Sequence, residues 1–461
     1  MRCIKANRAC GGYEHGTFST FRQYGTQGAY QPSSIPSTAR KCSMPKRVPV
    51  PGTNVLPEDT LPAETSQAES NGLALRAFFY DYCIVSTNQN LSRGYLSGLE
   101  MMAYRLGPKS DLVKACQAVA FGSHGKPLNR PQLVQKAEMF YQELLGSLAR
   151  AIESPASANV TESIRVAMLL GLYQMTMASE TDHGDHDTHA RGLAALMNIG
   201  HWPLDLLGTV RSGPPKFLPV SKVPSVSGVF SVPALRDQAE SLDDLLLDLD
   251  LLWTTFEASC ESKDFSALKN ESIALDRRFA KWQNSRVTEF KPTRVGHVSQ
   301  SRYESQIAVG YWPGKVDTYF DLYVAGVWNI FRAARLLLVA LIVKLSDTCG
   351  GHDSFMDLSY TANGIVEDMI ASVPYHLADN LQAFLNELAR STEIADPGKS
   401  LGGLLLMHPL YVASKMSFLS EEIREYMRAC LTWIGSNMGL GQATLLAKVR
   451  EIRSWSLTPP T

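Results

Sequence analysis

Two cysteines near the amino terminus have a spacing that suits metal chemistry. Cys3 and Cys10 are separated by six residues in MRCIKANRACGGYEHG. Thiolates are common ligands of structural zinc, which takes four ligands in a tetrahedral arrangement. Two cysteines fill half of one such site, and a pair with this spacing also occurs by accident in many sequences. The pair therefore indicates zinc only if the rest of the chain agrees.

Basic side chains surround these two cysteines. Arg2, Lys5 and Arg8 lie beside them, and the first 50 residues hold eight cations against a single carboxylate, Glu14. The whole chain of 461 residues has a formal net charge of −1, so this basic arm is joined to a body without a basic excess. Such a distribution is typical of a protein that contacts an anionic partner such as DNA at one end.

The segment resembles the closing part of the fungal binuclear zinc-cluster DNA-binding domain. In that family six cysteines hold two zinc ions, and the order ends with C-x2-C-x6-C and a short Gly/Tyr stretch. The residues that match this ending are Cys3, Lys5, Arg8, Cys10, Gly12 and Tyr13. The resemblance implies that Cys3 and Cys10 are zinc ligands. The preceding cysteine of the pattern would fall one position before Met1, so four of the six thiolates are missing from this sequence.

The missing cysteines lead to specific expectations about zinc and DNA. We expect the chain not to hold two zinc ions through its amino terminus, because such small modules fold only around a complete ligand set. Bases are contacted in the family mainly from the first cysteine loop, which lies before Met1. Arg2, Lys5 and Arg8 are therefore expected to make weak phosphate contacts, which carry no sequence information.

Two explanations for the incomplete cluster remain open. An upstream coding segment could supply the other four cysteines, or the cluster could have decayed in a regulator that acts through protein partners, as an inhibitor that competes for dimerisation. We favour the upstream segment, because Arg2 and the residues from Cys3 to Tyr13 stay close to the family pattern.

A second candidate metal site is the histidine-rich segment HGDHDTH. It holds His183, His186 and His189 among three aspartates, and imidazole and carboxylate groups both bind divalent ions. However, Gly184 indicates a loop, and Asp187 is a plausible N-cap for a helix over 188–199. We therefore favour a solvated acidic loop over a helical metalloprotein that uses these histidines.

The chain has a proline-rich linker followed by a helical body. Residues 14–70 contain seven prolines among Ser, Thr, Gly and Gln, a composition that favours disorder. Lys41 and the pair Lys46-Arg47 are a candidate import signal. From residue 72 onward, apolar residues recur at helical spacing. The helices that this spacing predicts lie near 73–84, 112–120, 131–155, 160–179, 188–199, 242–256, 268–282, 319–345, 364–376, 379–390, 401–417, 420–435 and 440–453.

Several strings in this body resemble the regulatory domain that commonly follows the zinc cluster in fungal transcription factors. They lie in the family's order over roughly positions 72 to 450. The matching residues are His189, Arg191 and Gly192, then Trp328, Asn329, Arg332 and Arg335, then Val373, Pro374 and Tyr375, and finally Gly402, Gly403, Pro409 and Leu410. The expected organisation is a zinc-cluster remnant at 1–13, a disordered linker at 14–70 and an all-α regulatory domain at 71–455.

The resemblance implies a nuclear transcription factor rather than an enzyme. Its expected role is to control pathway genes, with zinc as cofactor, and the family association indicates those of a secondary-metabolite cluster. Its expected partners are promoter DNA, if the cluster is completed upstream, and proteins or a second copy through the helical domain. The residues themselves contain no phosphate loop, dinucleotide fingerprint or nucleophile elbow. The longest strongly apolar run, Leu336–Val343, is too short to cross a bilayer, so no membrane partner is expected.

Three features of the body allow more than one interpretation. Arg332 and Arg335 could bind an anionic ligand, although we favour a structural role for them, capping or pairing within the helical bundle. The acidic and apolar run from Ser241 to Phe256 could be an activation segment, although its leucines form a helical stripe with the acids mostly opposite. Four tryptophans beside aliphatic residues are expected in the core: Trp202, Trp282, Trp328 and Trp433.

Overall fold

The computed structural model describes residues 66–153, 159–179, 240–258, 265–299, 308–348, 355–388 and 393–448. The elements are α1 (Gln67–Tyr82), α2 (Leu99–Leu106), α3 (Asp111–Gly125), α4 (Pro131–Glu153), α5 (Val160–Met177), α6 (Leu242–Ala258), α7 (Phe265–Asn284), β1 (Thr293–Val298), β2 (Gly314–Thr318), α8 (Leu322–Thr348), α9 (Phe355–Leu377), α10 (Leu381–Glu387), α11 (Ser400–Ser414), α12 (Glu421–Met438) and α13 (Gly441–Lys448). The prediction of an all-α body is confirmed. The first helix begins at Gln67, inside the segment predicted as linker.

The helix α3 is the centre of the amino-terminal part. All of its residues from Leu112 to Gly125 except Lys114 are buried, because α1, α4 and α5 pack around it. Its first turn is capped by Ser110, whose Oγ accepts a hydrogen bond from the Val113 amide at 3.3 Å. The apolar stripe predicted for α4 is confirmed. Its buried members are Leu133, Ala137, Phe140, Leu144 and Leu148.

The helix α8 is the centre of the remaining body. Its 27 residues are long and apolar enough to cross a bilayer, with a mean hydropathy of 1.7 in the most apolar window, but 78% of that window is buried. The helices α7, α9 and α11 pack against it. Leu336 and Val339 join one hydrophobic cluster, and Leu338 and Leu341 join another, so α8 connects the two. It is therefore the core helix of the body.

The acidic helix α6 packs into the second cluster, as its leucine stripe predicts. Leu242, Leu245 and Leu249 are buried against α7 and α8. The prediction that its aspartates lie mostly on the opposite face is wrong for two of the four. Asp243 and Asp250 are buried, whereas Asp244 is exposed. Because an aspartate stands next to each of these buried leucines in the sequence, some of the carboxylates also lie in the interface with α7 and α8.

A two-stranded antiparallel sheet interrupts the helical body. The strands β1 and β2 pair from Thr293 opposite Thr318 to Val298 opposite Gly314, and β2 packs against α9. Gly296 allows a close approach, because a Cβ at this position would lie 2.4 Å from Cδ2 of Leu385. This hairpin was not predicted from the sequence, because β1 carries Arg294, Gly296 and His297 where a strand usually has β-branched or aromatic residues.

The carboxyl-terminal helices follow their predicted segments closely. The segment predicted near 364–376 begins earlier, at Phe355, and the one near 440–453 is described as far as Lys448. Ser420 caps α12, since its Oγ accepts from the Ile423 amide, and Gly439 ends that helix with a φ of +71°. Trp282 and Trp328 are buried as predicted, whereas Trp433 is half-buried and Trp202 lies outside the described residues.

An aromatic cluster ties α7 to α8 and should contribute strongly to stability. The ring centroid of Phe331 lies 5.0 Å from that of Trp282, 5.6 Å from Trp328 and 5.8 Å from Phe279. We predict that Phe331→Ala lowers the free energy of unfolding by about 3–5 kcal/mol, because it leaves a cavity among these rings. Urea denaturation measures this loss. The control is Tyr360→Ala at a side chain that is 84% exposed, which should change stability by less than about 0.5 kcal/mol.

Candidate functional site

The family-like strings of the described body meet on one side of α8. The W-N-x-x-R-x-x-R string lies on α8, the string around Pro374 lies at the end of α9, and the Gly-Gly-to-Pro409 string forms α11. Both prolines lie inside their helices. Because α9 and α11 each pack on α8, the three strings form one junction. Its polar centre is the candidate functional site.

Asn329 is the hub of this polar centre. Its Nδ2 donates to Oγ of Ser372 at 2.9 Å and lies 3.0 Å from Nε2 of His376. Its Oδ1 accepts from Nη1 of Arg332 at 2.8 Å. All four side chains are buried. The carboxamide therefore connects α8 to two residues of α9 through groups that water does not reach, where a lost partner costs more than at the surface.

The contact with Arg332 determines where the proton of His376 lies. A guanidinium can only donate, so the Asn329 oxygen faces Arg332 and the amide nitrogen faces His376. Nε2 of His376 must then accept, and Nδ1 carries the proton and donates to the Gly402 carbonyl at 3.0 Å. Burial, opposed by the hydrogen bond to the Gly402 carbonyl and assisted by the nearby charge of Arg332, lowers the pKa of His376 to about 4. The imidazole is thus neutral near pH 7.

Gly402 allows α11 to approach His376. A Cβ at this position would lie 2.0 Å from the His376 carbonyl oxygen, which is backbone and cannot move aside. The glycine is therefore required sterically, and it brings its own carbonyl to Nδ1 of His376. This explains why a Gly-Gly pair stands at the start of the otherwise apolar helix α11.

Arg332 is held inside the protein by rings and a nearby carboxylate. Its Nη1 donates to Oη of Tyr319 at 2.9 Å, and its guanidinium lies 5.8 Å from the ring centroids of both Tyr319 and Trp328. Buried Asp317 contributes negative charge nearby. Burial raises the pKa of Asp317, and the positive charges of Lys315 and Arg332 oppose that rise. These contacts place the charge of Arg332 against groups inside the protein and not against an external ligand.

Arg335 has an equally structural role. Its Nε and Nη2 bind the two carboxylate oxygens of Asp276 on α7, at 2.7 and 3.2 Å. Its Nη1 also reaches Gln283 at 3.3 Å. Two turns earlier, Nε1 of Trp328 donates to the Phe290 carbonyl at 2.7 Å. The string on α8 therefore anchors the segment from α7 to β1, and the prediction that both arginines have a structural role within the bundle is confirmed.

The side chains of the polar centre bind one another, and the described residues contain no group of three or more His, Cys, Asp or Glu side chains that could hold a metal ion. Both nitrogens of His376 are engaged, and no group of three His, Cys, Asp or Glu side chains could hold a metal there. Burial raises the pKa of Cys116 and, to about 12, that of Cys430, so neither thiol is activated. A cavity of about 230 Å³ lies at the junction of α3, α4 and α5, away from this polar centre.

The predicted metal and DNA-binding residues lie outside the described residues. They are Cys3, Cys10, Arg2, Lys5 and Arg8, together with the histidine alternative of His183, His186 and His189. The string around Gly192 lies outside the described residues too. Their assignments stay predictions.

Comparison with known proteins places the chain among fungal regulators. It is 44% identical over 404 residues to the transcription factor dbaG of Emericella nidulans, an alignment that covers 86% of this chain and 96% of dbaG. The chain belongs to the dbaG family of fungal transcription factors. No protein-family model matches the chain. No solved structure matches it either.

Three partners in the junction of this dbaG relative were not found from its sequence. Tyr319, Ser372 and His376 each bind a residue of the W-N-x-x-R string, yet none was proposed as a site residue. His376 had a usable signal, since it directly follows the string around Pro374. Ser372 and Tyr319 had none, because their roles depend on how α9 and the end of β2 pack against α8.

The buried histidine should make the stability of this dbaG-family protein pH-dependent. The unfolded chain binds a proton at His376 below about pH 6.5, whereas the native protein does so only near pH 4. Stability is therefore fully present above pH 6.5 and is lost as the pH falls towards 4, by about 1.4 kcal/mol per pH unit.

Replacing this histidine should remove its contribution to that pH dependence. Urea denaturation between pH 7.5 and 4 should show a less stable His376→Gln variant at pH 7, with a shallower decline than wild type on acidification. The matched control is His297→Gln on exposed β1, which should keep the wild-type slope. Equal slopes for wild type and His376→Gln would contradict a neutral, buried imidazole.

Proposed function

We propose that this protein is a nuclear transcription factor that regulates the genes of a biosynthetic pathway. The observation that supports this most is the 44% identity along 96% of the length of dbaG, whose name is that of a transcription factor. The polar junction fits such a role, because its side chains bind one another and leave no group poised to react with a substrate. We further propose that the pathway is one of secondary metabolism.

The proposed route to DNA is the basic amino-terminal arm. Cys3 and Cys10 have the spacing of the last two zinc ligands in a binuclear cluster, and Arg2, Lys5 and Arg8 suit contacts to phosphate. Two thiolates do not fit two tetrahedral zinc ions, because each ion needs four ligands. No step of the proposal is therefore assigned to zinc, and sequence-selective binding by the 461-residue chain is expected to be impaired.

A second candidate function is that of a helical interaction protein. If the donor set of Cys3 and Cys10 is incomplete in the whole protein, the regulator has to act through protein partners. It would then inhibit or assist a DNA-binding protein, through the body whose two hydrophobic clusters are joined by α8. Both candidates require nuclear action and altered transcription, but they differ in their need for the cysteines.

Disruption of the gene followed by transcript profiling tests the proposed function. We predict that transcripts of a set of pathway genes change several-fold in the disruption strain. Reintroduction of the wild-type gene should restore them, and a fluorescent fusion should accumulate in the nucleus. Unchanged transcripts, or a fusion excluded from the nucleus, would contradict a role in transcription.

Reintroduction of cysteine variants separates the two candidates. If Cys3 and Cys10 are zinc ligands of a DNA-binding domain, the Cys3→Ser/Cys10→Ser variant should fail to restore the transcripts. A variant that restores them fully would favour the interaction protein. The control is Cys83→Ser, which changes a half-buried thiol of the described body and should restore the transcripts in either case.

A further inference from the structure

The body of the protein contains a sharply basic segment despite its overall acidity. Residues 51–461 hold 36 cations against 44 carboxylates. Within residues 277–294, however, there are six Lys or Arg side chains and a single carboxylate, Glu289. Positive charge is thus concentrated on the end of α7 and the start of β1, far in sequence from the basic amino-terminal arm.

Two of these six cations are used inside the fold. Arg278 binds Glu240 and, at 2.7 Å, Oδ2 of Asp248. Arg286 is buried, with its guanidinium 4.6 Å from the ring centroid of Trp282. These contacts explain both residues as structural, so neither is free to bind an external anion.

The other four cations point to solvent. They are Arg277, Lys281, Lys291 and Arg294, which we call the basic stripe. Arg277, Lys281 and Arg294 are exposed, and Lys291 is partly exposed. Within the described part of the chain, none of the four forms an ion pair with a carboxylate. The charge of Arg294 does act on buried Asp317, which lies opposite it in the sheet.

Three of the four cations lie on one face of α7 or at its end, and Arg294 follows on β1. Arg277, Lys281 and Asn284 are spaced by four and then three residues, so they share one face of α7. At the end of that face, Nζ of Lys291 donates to the Asn284 carbonyl at 3.2 Å. Arg294 follows three residues later on β1, whose first residues are exposed. The stripe thus runs from the last two turns of α7 onto the hairpin.

The surroundings of the stripe favour a polyanion over a protein. Protein partners are usually anchored by aromatic or apolar side chains in a buried pocket. The cavity at the junction of α3, α4 and α5 is not lined by any residue of the stripe. The exposed apolar side chains near the stripe, Val287 at 38% and Val295 at 42%, are isolated valines. Phosphate groups, in contrast, need only cations in a row.

We propose that the basic stripe binds the phosphate backbone of duplex DNA and is a second DNA contact, separate from the amino-terminal arm. This proposal rests on the proposed function in one respect, because the role in transcription is the reason for naming DNA as the polyanion. Contacts of this kind add affinity without sequence preference. Each makes the slope of log K against log salt more negative by about 0.9. The stripe would hold the body against DNA that flanks a promoter site.

Salt-dependent binding of the full 461-residue chain tests this proposal. Fluorescence anisotropy with a labelled random-sequence duplex gives the slope between 50 and 200 mM salt, a range in which such slopes are measured. The stripe variant carries the substitutions Arg277→Gln, Lys281→Gln, Lys291→Gln and Arg294→Gln. Its slope should be shallower than that of wild type by about 3 to 4. Circular dichroism checks that the variant is folded.

A charge-matched variant is the control for the general field of the protein. It removes four positive charges at exposed positions that also lack ion pairs in the described chain. The substitutions are Arg76→Gln, Arg105→Gln, Lys109→Gln and Arg150→Gln. This control should keep a slope close to that of wild type. Circular dichroism should again show a folded protein.

The outcomes separate the proposal from its rivals. An unchanged slope in the stripe variant, an equal change in the control, or no DNA binding by wild type would overturn it. If the stripe variant instead loses binding to polyglutamate with its DNA slope intact, the stripe serves an acidic protein segment and the proposal is wrong. The assay does not depend on transcription, so its failure is distinguishable from failure of the proposed function.

Discussion

The body depends on one constraint, which is that a guanidinium is buried in the middle of its longest helix. Arg332 has left water, and a buried charge that loses its partners would cost several kcal/mol. Its donors must therefore be satisfied by fixed groups. Tyr319 and Asn329 both accept from its Nη1, and Asp317 supplies compensating charge. Each of these requirements positions another element against α8.

The consequences of this constraint extend through three helices. Once Arg332 fixes the orientation of the Asn329 amide, His376 must accept at Nε2 and donate from Nδ1. The Gly402 carbonyl can receive that donor only because α11 has no side chain at the contact. A chain of directional bonds thus sets the spacing of α8, α9 and α11, which apolar packing alone would leave less specific. The same helix α8 holds the end of α7 through Arg335, and so positions the basic stripe.

Much of the helical architecture was predictable because the apolar periodicity is strong. The stripe from Leu133 to Leu148 fixed both the existence of α4 and its buried face. The hairpin was not predictable, since Arg294, Gly296 and His297 lack the pattern of a strand and the pairing depends on packing against α9. The burial of Asp243 and Asp250 was also missed, because periodicity describes the apolar side chains and gives no partner for the polar ones.

The candidate site was visible in part. The strings on α8, α9 and α11 could be read from the sequence, but their meeting at one junction depends on long-range contacts. Helical spacing gives no account of the contact between Asn329 and His376, which lie 47 residues apart.

Nitrogen-15 NMR of histidine-labelled protein, with His376 assigned by its loss in His376→Gln, tests the central claim most directly. The account predicts a neutral imidazole at pH 6 to 7 with its proton on Nδ1 and an unprotonated Nε2. This tautomer follows from the guanidinium of Arg332 through the amide of Asn329. A proton on Nε2, or an imidazolium at pH 6, would contradict this chain of hydrogen bonds. It would also contradict the constraint that explains the packing of α8, α9 and α11.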